Sequence, residues 1–196
     1  METVGPERNA RLTAITGAVL LVLLAVEGFT LLSLRAMLSW HIFVGVLVVP
    51  IVVLKLGSTG YRFFRYYTHR PDYVQAGPPN LLLRLLGPVV VLTTVALLAT
   101  GIALIVVGPG RGLVLNLHKA SFIVWLAALG AHVLGHLGRT QGALRGELSS
   151  PDQLGGSRWR LLLVAGAVAI GAIAAVAVYP QAGAWLHWVQ AFHRDH

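Results

Sequence analysis

The stretch Leu113–Leu137, LVLNLHKASFIVWLAALGAHVLGHL, decides the fold. It is apolar and long enough to cross a bilayer core, which takes roughly 20 helical residues, yet it carries His118, His132 and His136. At 3.6 residues per turn, His132 stands about 40° around the helix from His118 and about 21 Å farther along it. Both imidazoles therefore face the same neighbours at different membrane depths. His136, about five turns beyond His118, shares that face. An ionisable side chain inside a membrane helix marks a functional site, and neutral imidazole is a good ligand for iron, copper or zinc.

Outward from this segment, four more runs have the same character: approximately Leu12–Leu34, Ala36–Leu56, Leu85–Val107 and Leu161–Tyr179. With 56% hydrophobic and 11% charged residues and a mean hydropathy of +0.75, the composition is that of a membrane protein rather than a soluble domain. The runs are too long for barrel strands and lack strict alternation, so the fold class is all-α, a polytopic membrane protein of one domain spanning residues 1–196. The first run is longer than a signal-peptide core and no small-residue cleavage site follows it, so it reads as a retained helix. The chain has no cysteine, which excludes disulfides, c-type haem attachment and iron–sulfur ligation by this chain.

The formal net charge of +8 is distributed unevenly. Lys55, Arg62, Arg65, Arg70 and Arg84 lie between the second and third runs, and Arg139, Arg145, Arg158 and Arg160 between the fourth and fifth. The other side has only Arg35, Arg111 and, in the tail, Arg194. By the positive-inside rule the two long loops and the amino terminus are cytoplasmic and the carboxyl terminus is outside. Basic loops beside anionic headgroups account for the charge, so the lipid bilayer is the expected partner and nucleic acid is not.

Along the chain, Glu27 is the only charged group well inside the first helix, where a carboxylate needs a partner; a neighbouring helix or a cofactor supplies it. A short loop, Arg35–Ser39, makes the first two helices antiparallel neighbours. The second helix then places Trp40 and His41 near its outer end and Gly45 one turn deeper, where a missing side chain leaves room for a flat macrocycle or for close helix packing. Tyr61–Tyr67 is basic and aromatic and suits a short helix in the inner headgroup layer or a docking surface. Gly108–Gly112 forms a tight outer turn joining helices three and four. The last crossing offers no polar candidate and reads as scaffold or a partner-facing helix. His187, His193 and His196 fall in a solvated or interfacial tail.

Counting inward from the outer turns, His41 lies about five residues inside its helix and His118 about five inside its own. Two imidazoles at one depth on different helices can serve as axial ligands to haem iron, in the kind of bundle core where such a cofactor fits. Arg35, Arg111 and Lys119 lie at the same level and suit haem propionates, or else snorkel to lipid phosphates.

On these residues the chain resembles the bacterial four-helix membrane cytochromes b, the cytochrome b561 type and the cytochrome subunits of hydrogenases and formate dehydrogenases. The resemblance covers about residues 10–137 and rests on His41 and on the His118/His132 pair. It implies a four-helix haem-binding bundle with a fifth transmembrane helix added, an outer haem b on His41 and His118, and an inner one on His132. It also implies electron transfer between quinone and a partner redox subunit. The family takes the second inner ligand from a first-helix His, which this chain lacks, and position 55 is Lys rather than His. His69 in the cytoplasmic loop is a weaker candidate for that place. His132 and His136, four residues apart, alternatively chelate a metal together or serve a quinone or proton site.

The function expected is thus a membrane-embedded cytochrome b carrying one haem, with a second open, that transfers electrons between the quinone pool and a redox partner or within a homo-oligomer. No nucleophile–base pair, phosphate loop or carboxylate pair marks a self-contained enzyme. The alternatives are a transition-metal transporter or binding protein using the intramembrane His, and a haem-free structural subunit.

Overall fold

The computed structural model describes residues 4–75, 81–109, 112–149 and 156–192. These form seven helices: α1 Val4–Leu32, α2 Leu34–Tyr67, α3 Pro71–Gln75, α4 Leu81–Val107, α5 Gly112–Ser149, α6 Ser157–Val178 and α7 Gln181–Phe192. Among the described residues there is no strand. Five helices, α1, α2, α4, α5 and α6, are long and apolar enough to cross a membrane, and the chain is an all-α multi-pass membrane protein.

Helix ends depart from the expected ones because hydropathy marks where lipid stops, not where the backbone stops being helical. Only Ser33 interrupts α1 and α2, and Met37 N–H already bonds the Ser33 carbonyl at 3.0 Å. Arg35–Ser39, expected as a loop, therefore lies within α2. That helix also continues past Leu56 through the aromatic stretch to Tyr67, for 34 residues, which is about 51 Å against a hydrocarbon core of roughly 30 Å. Tyr61–Tyr67 is thus an extension of α2 rather than a separate helix. Arg65 lies over the Tyr61 ring at 5.6 Å and over that of Tyr73, in α3, at 5.7 Å, folding α3 back on α2. Helix α5 likewise runs 38 residues to Ser149. The tail after Pro180 is helical through Phe192, with Ala182 and Trp185 buried and His187 exposed.

Three pairings build the bundle: α1 on α2, α2 on α6 and α4 on α5. The apolar core gathers Leu20 from α1, Val44, Val48, Ile51 and Val52 from α2, and Ala167 from α6. Helix α6 can lie this close because Ala167, Gly171 and Ala175, spaced by one turn, are all buried. A Cβ on Gly171 would collide with the Leu47 carbonyl of α2. Close approach at small residues is how helices gain contact in lipid, where apolar burial offers no driving force. The last crossing is therefore scaffold, seated on α2. Between α4 and α5, Trp125 donates its indole N–H to Thr94 at 3.0 Å.

At the basic end, one carboxylate joins three helices. Glu147 near the end of α5 accepts hydrogen bonds from Arg160 Nε at 3.1 Å and Nη2 at 2.7 and 2.9 Å, from Ser157 Oγ at 3.0 Å and from Arg11 Nη1 at 3.2 Å. Gly156 makes this possible, because its φ of +72° is open to glycine at little cost and turns Ser157 and Arg160 onto Glu147. Burial pulls the Glu147 carboxyl upward, but the hydrogen bonds from Arg160, Ser157 and Arg11 and the Arg160 charge hold it below its ordinary value of 4.5.

Removing one member of a buried, hydrogen-bonded ion cluster strands the others, so R160A is expected to destabilise the detergent-solubilised protein by about 3 kcal/mol. Since the folded carboxyl titrates below 4.5, its stabilisation is complete above about that pH and is lost as pH falls through the folded value. Melting temperatures measured from pH 7 to pH 3 should show this loss in the wild type and a flatter profile in E147Q.

Candidate functional site

At the end of the bundle away from the clasp, α2 and α5 barely approach along their backbones, yet two side chains meet across the space. The rings of His41 and His118 have centroids 6.5 Å apart and an interplanar angle of 77°. Each helix carries its imidazole from a position one to two turns inside its end, and each ring is held by a threonine on the helix paired with its own.

Those threonines fix the tautomers. Thr30, almost wholly buried on α1, donates its single hydroxyl proton to the Glu27 carbonyl at 2.6 Å. Toward His41 Nδ1, 3.2 Å away, it can only accept, so Nδ1 carries the ring proton. Glu27 Oε1 lies 2.9 Å from the same nitrogen. On the other side Thr100 of α4 donates to the carbonyls of Ala96 and Leu97 at 2.8 and 3.0 Å, so at 3.1 Å from His118 Nδ1 it too accepts. Both imidazoles are left with an Nε2 lone pair that meets no donor among the described residues. Orienting a ring through its Nδ1–H is how proteins present histidine to a metal. At a centroid spacing of 6.5 Å the two imidazoles would be able to hold one metal ion between them.

Gly101, which the sequence did not single out, faces this site: a Cβ there would stand 3.2 Å from His118 Cε1. Gly45 serves a different neighbour from the one expected. Its open side faces Glu27 Oε1, 3.4 Å from where a Cβ would be, so the missing side chain makes room for the carboxylate. Arg35 and Lys119 are both exposed. Arg111 lies outside the described residues.

His132 stands apart from this pair and faces a cation. Lys55 of α2 lies within electrostatic reach of it and donates to the Thr13 carbonyl of α1 at 2.5 Å. Gly17 is what lets the ammonium in, since a Cβ there would be 2.9 Å from Nζ. Nearby Asn9 donates to the Ser58 carbonyl at 3.1 Å, and the Thr13 and Ser58 hydroxyls bond each other. Among the described residues Lys55 pairs with no carboxylate. His69 is exposed just after α2 with a φ of 54°, and among the described residues its ring meets no other imidazole. The side chain of His136 lies outside the described residues. No cluster of three or more His, Cys, Asp or Glu placed to hold a metal ion occurs among the described residues.

A buried ammonium held by one carbonyl costs more than its apolar isostere, so K55M is expected to raise the melting temperature in detergent. Gly17→Ala, which crowds Nζ, should destabilise the wild type and be close to neutral with K55M. The double-mutant cycle should give a coupling of about 1 kcal/mol between positions 17 and 55.

No family model matches this chain, and no curated protein and no solved structure matches it either.

Proposed function

We propose that this protein is a b-type membrane cytochrome that holds one haem b between His41 and His118 and passes electrons between the quinone pool and a partner redox subunit. The observation that carries this reading is the pair of adjacent imidazoles on different helices, each with its Nδ1 on a threonine hydroxyl and its Nε2 without a donor among the described residues, at a spacing that leaves room for one metal. Two imidazoles are half of a tetrahedral site for a bare zinc or copper ion. They are a full axial set for haem, whose macrocycle brings the remaining nitrogens.

In this reading haem supplies reversible one-electron chemistry, and the chain's residues supply everything else. His41 and His118 would bind and orient it, and Thr30 and Thr100 would hold the two rings through Nδ1. Exposed Arg35 and Lys119 provide positive charge at the same end for carboxylate groups. The basic end, with Arg11, Arg65, Arg84 and Arg160, faces the cytoplasm of a bacterial cell by the positive-inside rule. Lys55 lies within electrostatic reach of His132 and disfavours a cationic centre there, so this reading assigns one haem per chain to the His41/His118 pair.

Reduced-minus-oxidised spectra of the purified protein should show b-type bands with one haem per chain by pyridine haemochrome. H41A and H118A should each lose them, whereas H132A should keep the full complement. A colourless wild-type protein, or bands that survive both H41A and H118A, would defeat this reading.

A further inference from the structure

Glu27 is an anomaly: a carboxylate inside a membrane-spanning helix, with Oε1 2.9 Å from His41 Nδ1 and Oε2 buried and without a hydrogen-bond partner. Among the described residues no lysine or arginine pairs with it. Such a group is costly in hydrocarbon unless a positive charge stands close by. The surroundings nonetheless accommodate it, since Gly45 opens the space and Thr30 braces the adjacent backbone. Among the described residues His41 is the one titratable cation beside it, so while His41 is a neutral ligand the counter-charge has to come from what the imidazole binds.

Resting on the cytochrome reading, we infer that Glu27 is the positioning residue that sets the redox potential of the site, stabilising its oxidised state through His41. Two effects act in the same direction. The carboxylate takes up the His41 Nδ1 proton's field and makes Nε2 a stronger donor, which favours ferric over ferrous iron. Ferric iron in a dianionic macrocycle also carries one net positive charge and ferrous iron none, so only the oxidised centre neutralises Glu27. The low dielectric strengthens that attraction. His118 has no equivalent, because its Nδ1 meets the uncharged Thr100 hydroxyl. The site is therefore asymmetric, with one charge-assisted ligand and one neutral ligand.

Potentiometric titration of the haem-loaded full chain at one fixed pH tests this. E27Q keeps the shape and removes the charge, and it should weaken the preference for oxidised iron at least tenfold, raising the midpoint by about 59 mV or more for one electron. E27D restores the charge and should return most of that shift, and T30V, which removes an uncharged hydroxyl, should move it less than E27Q. An E27Q midpoint equal to or below the wild type overturns the inference. If E27Q does not hold haem, the wild type decides: with 13C-labelled glutamate, its reduced-minus-oxidised infrared spectrum should contain an isotope-sensitive carboxylate band. Absence of that band overturns the inference as well. A wild-type protein with no haem spectrum defeats the cytochrome reading and this one together, whereas a normal haem spectrum with an unmoved potential defeats this one alone.

Discussion

The bundle depends on Glu147. Helices α4 and α5 pack on each other, α1, α2 and α6 pack among themselves, and the two groups share little backbone contact except where α1 meets α5. At that junction Glu147 binds Arg160 of α6 and Arg11 of α1 through both carboxylate oxygens. Gly146 helps, since its bare backbone lets the Arg11 guanidinium lie against α5, 3.4 Å from where a Cβ would stand. The bidentate contact with Arg160 fixes distance and direction together, so it fixes where along α6 the end of α5 must sit, and the single hydrogen bond from Arg11 ties α1 to the same point. From Glu147 to His118 is 29 residues of one helix, about 43 Å. A rigid helix carries the register set at the basic end to the other end of the bundle. There the helices are free to stay apart, and the two rings meet across the space because their depths are already matched.

The parts of this arrangement that the sequence made legible are the parts that follow from one helix at a time. Lipid imposes a single requirement on every crossing segment, that it be apolar and helical, and so the five spans and the depths of His41 and His118 can be counted from the chain. Segments beyond the hydrocarbon obey weaker rules. Tyr61–Tyr67 and the residues before Ser149 are polar enough to look like loops, but they contain no proline, and the helices run on to Tyr67 and Ser149. The turn at Arg35–Ser39 shrank to Ser33 for the same reason.

What stayed hidden depends on rotation of one helix against another. Glu27 was visible as a buried carboxylate, but its nearness to His41 requires knowing which face of α1 meets α2. Gly45 was read as space for a macrocycle when its open side faces Glu27. Gly101 and Thr100 adjoin His118, and their signal in the sequence was faint: a threonine and a glycine on α4, about two turns from the tight turn leading into α5. The Lys55 seat at Gly17 was not legible at all, because nothing in either residue's neighbourhood names the other.

These contacts divide the charge of the bundle interior in a way that bears on both histidine sites. Glu27 is a carboxylate without a lysine or arginine, and Lys55 is an ammonium without a carboxylate, among the described residues. They do not neutralise each other because they lie toward opposite ends of the α1/α2 pair: Glu27 is beside His41, while Lys55 reaches α1 at Thr13, fourteen residues earlier in that helix than Glu27, or about 21 Å. Each therefore biases its own histidine. A metal centre that gains positive charge on oxidation is favoured beside Glu27 and opposed beside Lys55, with little screening in so dry a setting. If His41 and His118 hold a metal as proposed, the placement of one acid and one base favours the same pair of imidazoles as the ring spacing does, and it does so through charge rather than through geometry.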